Sequence, residues 1–353
     1  MTSKQLPFGL NKLCLMLVLS ISIFIFSCDK EESTPSNPMI PGGGDVALRH
    51  YDASAAIGDV ISIVVDENKN TISYDNITTG ETGKIPFVRV NAGVMRGALR
   101  IVIDNEDFYL LEIPNQLIMT YLPVGANIEM VVGVKSSNYT PGDHVGSWIF
   151  FGYEPHPNDE NYWGFTNVYD NGRYDLDIWN FSGQVVHTET GDWEMDSINP
   201  SIIYSMPDGT TDIGTETMYV LPEKLRIYDS GPQMGMGIGL AEPDQPLTIS
   251  DITGKYVASW TGGYGSFEIK SDGVIKLQFY DDGQLYTDEY TDLRRTTPAD
   301  AIHFNNTFYF TDHLMPGSIQ DVYVIMLPGD AFLAVYYDPY KGMLTSMAVR
   351  VDR

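Results

Sequence analysis

Residues 170–183 read "DNGRYDLDIWNFSG". Tyr174, Leu176 and Ile178 alternate with Asp175 and Asp177 between two turn signals, "DNG" and "FSG". A period of two places the apolar side chains on one face of a β-strand and the carboxylates on the other. Asn, Asp and Gly bound the strand because they tolerate the positive φ of tight turns. The design returns at 271–283, "SDGVIKLQFYDDG", where Ile275, Leu277 and Phe279 alternate between "SDG" and "DDG". From residue 45 onward no convincing amphipathic helix interrupts this rhythm, so the expected fold class is all-β and antiparallel.

The matching turns lie about one module apart, which signals an internal repeat. "YLP" (121–123), "VLP" (220–222) and "MLP" (326–328) each precede an alternating strand: "ANIEMVVGV", "KLRIYDS" and "AFLAVYYD". "VGSWIFFGY" from Val145 and "TGKYVASWTG" from Thr253 give a second landmark, an aromatic-rich opening strand. "SSNYTPGD" (136–143) and "AEPDQP" (241–246) are polar and proline-containing, as spacers should be. The expectation is three tandem modules, 45–140, 141–243 and 244–353, the first the most divergent. Each would hold six to eight short strands, closed as a small barrel or folded as a sandwich.

The 353 residues carry 47 Asp and Glu against 21 Lys and Arg, a net charge of −26. No basic stripe offsets this, so nucleic acid is not an expected partner. The two cysteines, Cys14 and Cys28, both lie near the N-terminus, so the expected body has no thiol chemistry. Lys4 and Lys12 precede or begin an apolar run, "LCLMLVLSISIFIF" (13–26), of signal-peptide length. The run stops at Ser27-Cys28 and gives way to "DKEESTPSNPMIPGGG".

"IFSC" resembles a bacterial lipobox, and Asp29-Lys30-Glu31-Glu32 resembles the charged export signal of surface lipoproteins in Bacteroidota. This resemblance implies a signal peptide over 1–27, acylation (palmitate among the chains) at Cys28 and a flexible tether over 28–44. It also implies lipid anchoring in the outer membrane, at the cell surface or on the periplasmic face. The opening strand "ITGKYVASW" (252–260) resembles that of the lipocalin-like modules of Bacteroidota lipoproteins, which implies a meander barrel for the third module. Asp196-Ser197-Ile198 resembles a short O-glycosylation motif of the same envelope proteins, which implies an exposed loop.

Catalytic signatures are missing: no H-E-x-x-H, G-x-S-x-G, P-loop or dinucleotide fingerprint occurs. "GPQMGMGIGL" (231–240) reads as a loop entering a strand. His156 reads as an exposed loop residue, and Asp175 and Asp177 as a solvated face. "YDNGRYDLD" (169–177) offers oxygen donors for calcium but lacks EF-hand spacing. The expectation is therefore no cofactor, no metal and no enzymatic activity.

Four of five tryptophans fall in the second module, at 148, 163, 179 and 193. Trp148 reads as core. Trp163 lies in the polar stretch "NDENYWGF" beside Tyr162, Trp193 in "TGDWEMD", and Trp179 shares the face of Asp175 and Asp177. Aromatic faces flanked by acids and amides suit a sugar platform or a protein interface. Tyr162, Trp163, Trp179 and Trp193 are the candidate ligand-binding residues. The expected function is a lipid-anchored envelope protein for binding or assembly, with a glycan or an envelope protein as partner. Alternatives are a structural subunit of an outer-membrane complex, a carrier of a hydrophobic ligand, and a glycoside hydrolase using a carboxylate pair.

Overall fold

The computed structural model describes residues 48–124, 127–153, 162–179, 184–211, 213–229, 236–260, 263–281, 284–312, 320–327, 331–338 and 342–352. Cys28, the segments expected to be leader (1–27) and tether (28–44), His156 and the Gly-rich start at 231–235 lie outside them. Within this set nearly every element is a strand, and every ladder is antiparallel.

The first module is a closed eight-stranded barrel in sequence order. Its strands are β1 (Leu48–Ala55), β2 (Asp59–Asp66), β3 (Thr71–Asn76) and β4 (Glu81–Arg89). They continue with β5 (Leu99–Ile103), β6 (Glu106–Ile113), β7 (Leu117–Val124) and β8 (Asn127–Lys135), and β1 pairs with β8 to close the ring. A short helix, α1 (Pro141–His144), leads into the second barrel. That barrel comprises β9 (Gly146–Tyr153), β10 (Tyr162–Val168), β11 (Arg173–Trp179) and β12 (Val185–Met195). β13 (Ile202–Pro207), β14 (Gly214–Leu221), β15 (Leu225–Asp229) and β16 (Met236–Ala241) complete it, with β16 paired to β9. These two modules are up-and-down meander barrels, the lipocalin-like architecture.

A second short helix, α2 (Ile249–Ile252), opens the third module. Its strands are β17 (Gly254–Trp260), β18 (Gly263–Ile269), β19 (Ile275–Asp281), β20 (Gln284–Tyr290) and β21 (Arg294–Arg295). β22 (Thr307–Asp312), β23 (Gln320–Leu327), β24 (Ala331–Asp338) and β25 (Gly342–Arg350) follow. They form one nine-stranded sheet with β20 and β21 at its edges. Near that seam Tyr290 packs on Phe310 (centroids 5.0 Å apart) and donates to Asp312 Oδ1 at 3.1 Å, so side chains do what a ladder does elsewhere. The closed rings are thus modules one and two, although the barrel resemblance was drawn from the opening strand of module three.

The two helices repeat one device. The backbone N–H and hydroxyl of Thr140 both donate to Asp143 Oδ2, at 2.7 and 2.8 Å, and Thr248 does the same to Asp251. This Thr-x-x-Asp bracket secures a single helical turn. Each turn ends at a glycine of positive φ, Gly146 or Gly254, where a Cβ would be strained. Two residues later an aromatic on the opening strand donates back to the helix: Trp148 Nε1 to His144 O, Tyr256 Oη to Ile252 O. The repeat therefore starts five residues before the landmark at Val145 and Thr253, at Thr140 and Thr248.

Barrel one is filled. Tyr51, Ile63, Val65, Phe87, Leu99, Ile101, Leu110 and Ile118 form its core. A closed ion network accompanies it. Arg49 donates to Glu112 through Nε (2.6 Å) and Nη2 (2.9 Å), and Nη2 also reaches Glu67 at 2.7 Å. The Tyr51 hydroxyl adds a 2.7 Å bond to Glu112, and Arg89 pairs with Glu67.

A further core lies outside the barrels. Leu111, Ile113, Leu117, Val132 and Val134 of module one share a cluster with Ile149, Phe151, Leu225, Ile227, Ile238 and Leu240 of module two. Val257, Ile325, Leu327, Met347 and Val349 of module three join the same cluster. Residues 45–353 accordingly form one compact unit. Strands such as "SWIFF" and "VYVIML" are apolar without alternation because they bury both faces.

Candidate functional site

Barrel two differs from barrel one in what it encloses. Its inward side chains surround a cavity of about 160 Å³. Phe150, Val168, Leu176, Ile178, Ile203 and Trp193 supply apolar wall. His144, Tyr174, Glu189, Glu216 and Arg226 supply polar and ionisable groups to the same space.

Arg226 is the centre of this set. It is 5% exposed, and its guanidinium carbon lies 5.2 Å from the Trp148 ring centroid. Nη2 reaches only the Met218 sulfur, at 2.8 Å, while Nε and Nη1 have no hydrogen-bond partner among the described residues. Burial lowers the Arg226 pKa to about 10, so the group is still a cation at neutral pH. A buried cation without a carboxylate in contact is costly, several kcal/mol in order of magnitude.

His144 closes the cavity from α1. It is 1% exposed, its Nδ1 lies 3.2 Å from Met218 Sδ, and its Nε2 has no partner among the described residues. Burial, reinforced by the Arg226 charge, holds its pKa down at about 3, so the ring is neutral near pH 7. Glu216 of β14 faces the same cavity. Burial pushes its pKa up, the Arg226 charge opposes this, and the Glu189 charge adds to it. Glu189 itself accepts the Tyr174 hydroxyl and lies 3.3 Å from His187 Nε2.

The structure separates the four aromatic candidates. Trp163 is 2% exposed on β10, not in a polar loop, and stacks on Trp179 of β11 with centroids 4.8 Å apart. Both point out of the barrel, and Phe304 of module three packs edge-on against them at 5.9 and 6.4 Å. Phe304 also stacks on Phe165 at 5.2 Å. Trp163, a candidate ligand-binding residue by its polar stretch, is thus buried: the outer wall of barrel two is apolar here, and module three covers it. Trp193 points the other way. Half-buried on β12, it lines the cavity and donates from Nε1 to Tyr169 O at 3.2 Å. Trp163 and Trp193 thus lie on opposite sides of the barrel wall and share no cleft. The backbone of Tyr162 pairs with Gly152, and its side chain lies outside the described residues.

The two strand carboxylates face outward and are engaged. Asp175 accepts the Tyr169 hydroxyl at 2.6 Å and Asp177 the Thr188 hydroxyl at 2.9 Å. In the loop at 196–198, Ile198 is 92% exposed. No group of three or more His, Cys, Asp or Glu that could hold a metal ion occurs among the described residues. No helix among them is long and apolar enough to cross a membrane.

Arg226 and Glu216 escape a sequence reading. "KLRIYDS" alternates, but the phase is inverted: Leu225 and Ile227 point out into the core between modules, and Arg226 and Tyr228 point in. The signal available was the basic residue in "LRIY" and the Thr-x-x-Asp turn that brings in His144.

No protein-family model matches this chain, and no curated protein does. Among solved structures it is similar to a protein of unknown function from Nostoc punctiforme, of the DUF3598 family. That similarity has a TM-score of 0.24 and 10% identity, and covers 61% of this chain and all of that one.

Proposed function

We propose that this chain is a lipid-anchored envelope protein, attached through Cys28, that binds a small ligand inside its middle barrel without transforming it. One observation carries the reading. Barrel one is packed and its charges are paired, whereas barrel two surrounds a cavity with a buried arginine and histidine of which Arg226 Nε, Arg226 Nη1 and His144 Nε2 have no hydrogen-bond partner among the described residues. Pockets are mostly apolar with a few placed polar groups, and this lining follows that rule. A glycan chain does not suit it, because about 160 Å³ holds a single ring and little more. The same size argues against hydrolysis of a polysaccharide by Glu189 and Glu216.

Two measurements test this. Radiolabelled palmitate should mark the chain in growing cells and fail to mark Cys28→Ala; an unlabelled wild type would remove the anchor. A small-molecule library should contain compounds that raise the unfolding temperature of the full chain. Saturation at a hundred times Kd stabilises by about 2.7 kcal/mol. Leu176→Trp, which fills the cavity, should abolish the rise; a rise that survives it would place binding elsewhere.

A further inference from the structure

The ligand class follows from the chemistry of the cavity wall, and it rests on the middle barrel being the binding site. We infer that barrel two takes a small organic monoanion, a carboxylate on a ring or short apolar body, with Arg226 as the group that holds the charge.

First, Arg226 presents donors at Nε and Nη1 that have no partner among the described residues, is 5% exposed and lines the cavity. A guanidinium matches a carboxylate in both charge and planar geometry. The Met218 sulfur on Nη2 is a weak acceptor and leaves the demand for an anion standing.

Second, the wall sets the charge of the guest. Arg226 is one cation, and Glu189 and Glu216 face the same space. A dianion such as phosphate would meet two acidic side chains and one base. A monoanion meets the same three groups with half the charge, so the carboxylates repel it less while the arginine still holds it. Its second oxygen can be served by His144 Nε2, which has no hydrogen-bond partner among the described residues, in the tautomer that places the ring's proton there.

Third, the size sets the body. A cavity of about 150 Å³ elsewhere is known to hold benzene. The 160 Å³ here, walled by Phe150, Val168, Ile203 and Trp193, admits a benzoate-sized body and is too small to enclose a long acyl chain.

Benzoate is the probe, titrated calorimetrically into the full chain, with benzyl alcohol, palmitate and inorganic phosphate as comparisons. Benzoate should bind at least about tenfold more tightly than any of the three. Arg226→Met should weaken it by about tenfold or more. Because that variant puts the fold at risk, the Arg226 Nε–H resonance of the wild type is followed as well, and benzoate should shift it. Equal affinity for benzoate and benzyl alcohol, or an unmoved Arg226 resonance, would overturn the anion. Tighter binding of palmitate or phosphate would overturn the size or the charge assigned. If library compounds stabilise the chain in a Leu176-dependent way while benzoate does not bind, the carboxylate class fails and the binding site survives.

Discussion

Trp163 was the sequence's candidate for touching sugar, and the structure makes it a joint between modules. Trp163→Ala separates the two. A buried tryptophan removes 150–250 Å² from water, worth roughly 4–6 kcal/mol at 25 cal/mol per Å². Measured Trp→Ala changes in cores cost about 3–5 kcal/mol, and the 2% exposure of Trp163 puts it in that class. At roughly 2–4 °C per kcal/mol for a body of this size, the unfolding temperature should fall by about 6–20 °C. The partner variant is Phe304→Ala, whose ring meets Trp163, Phe165 and Trp179. An aromatic pair contributes about 0.5–1.5 kcal/mol beyond its area, so the double variant should be less damaged than the sum by about that amount. Urea titration followed by far-ultraviolet circular dichroism reads all three proteins. A Trp163→Ala chain of unchanged stability, or strict additivity with Phe304→Ala, would refute the joint. Unchanged stability with lost glycan binding would restore the sugar platform.

Two further outcomes follow from buried charge. Glu112→Gln leaves Arg49 in barrel one with Glu67 as its one remaining carboxylate and should cost up to about 3 kcal/mol in urea unfolding, whereas Arg49→Met with Glu112→Leu together should recover most of that. His144, held at about 3 against an ordinary 6.5, takes up a proton less readily folded than unfolded. Stability must then fall as pH drops through that window, by at most roughly 4–5 kcal/mol from this group, and His144→Phe should flatten the fall. Glu216 works the other way, since its raised pKa makes proton uptake on acidification favour the folded state, so the observed slope is the difference of the two. A slope identical in wild type and His144→Phe would sink the assignment.

The sequence by itself determined the strands and their repetition. Tyr174, Leu176 and Ile178 lie inside barrel two as their alternation requires, and Asp175 and Asp177 lie outside. Local physics suffices there, because the outer face of β11 meets water at those carboxylates and period two reports one wet side and one dry. Only the tertiary structure decided the phase of β15 and the fate of Trp163. Modules one and three cover parts of barrel two's outer wall, so on those strands the outside is as dry as a core and apolar residues no longer mark the inside. Arg226, which alternation would have turned toward solvent, is inverted into the cavity for that reason. Burial across a contact distant in sequence is a property of the assembled body, and no window of neighbouring residues contains it.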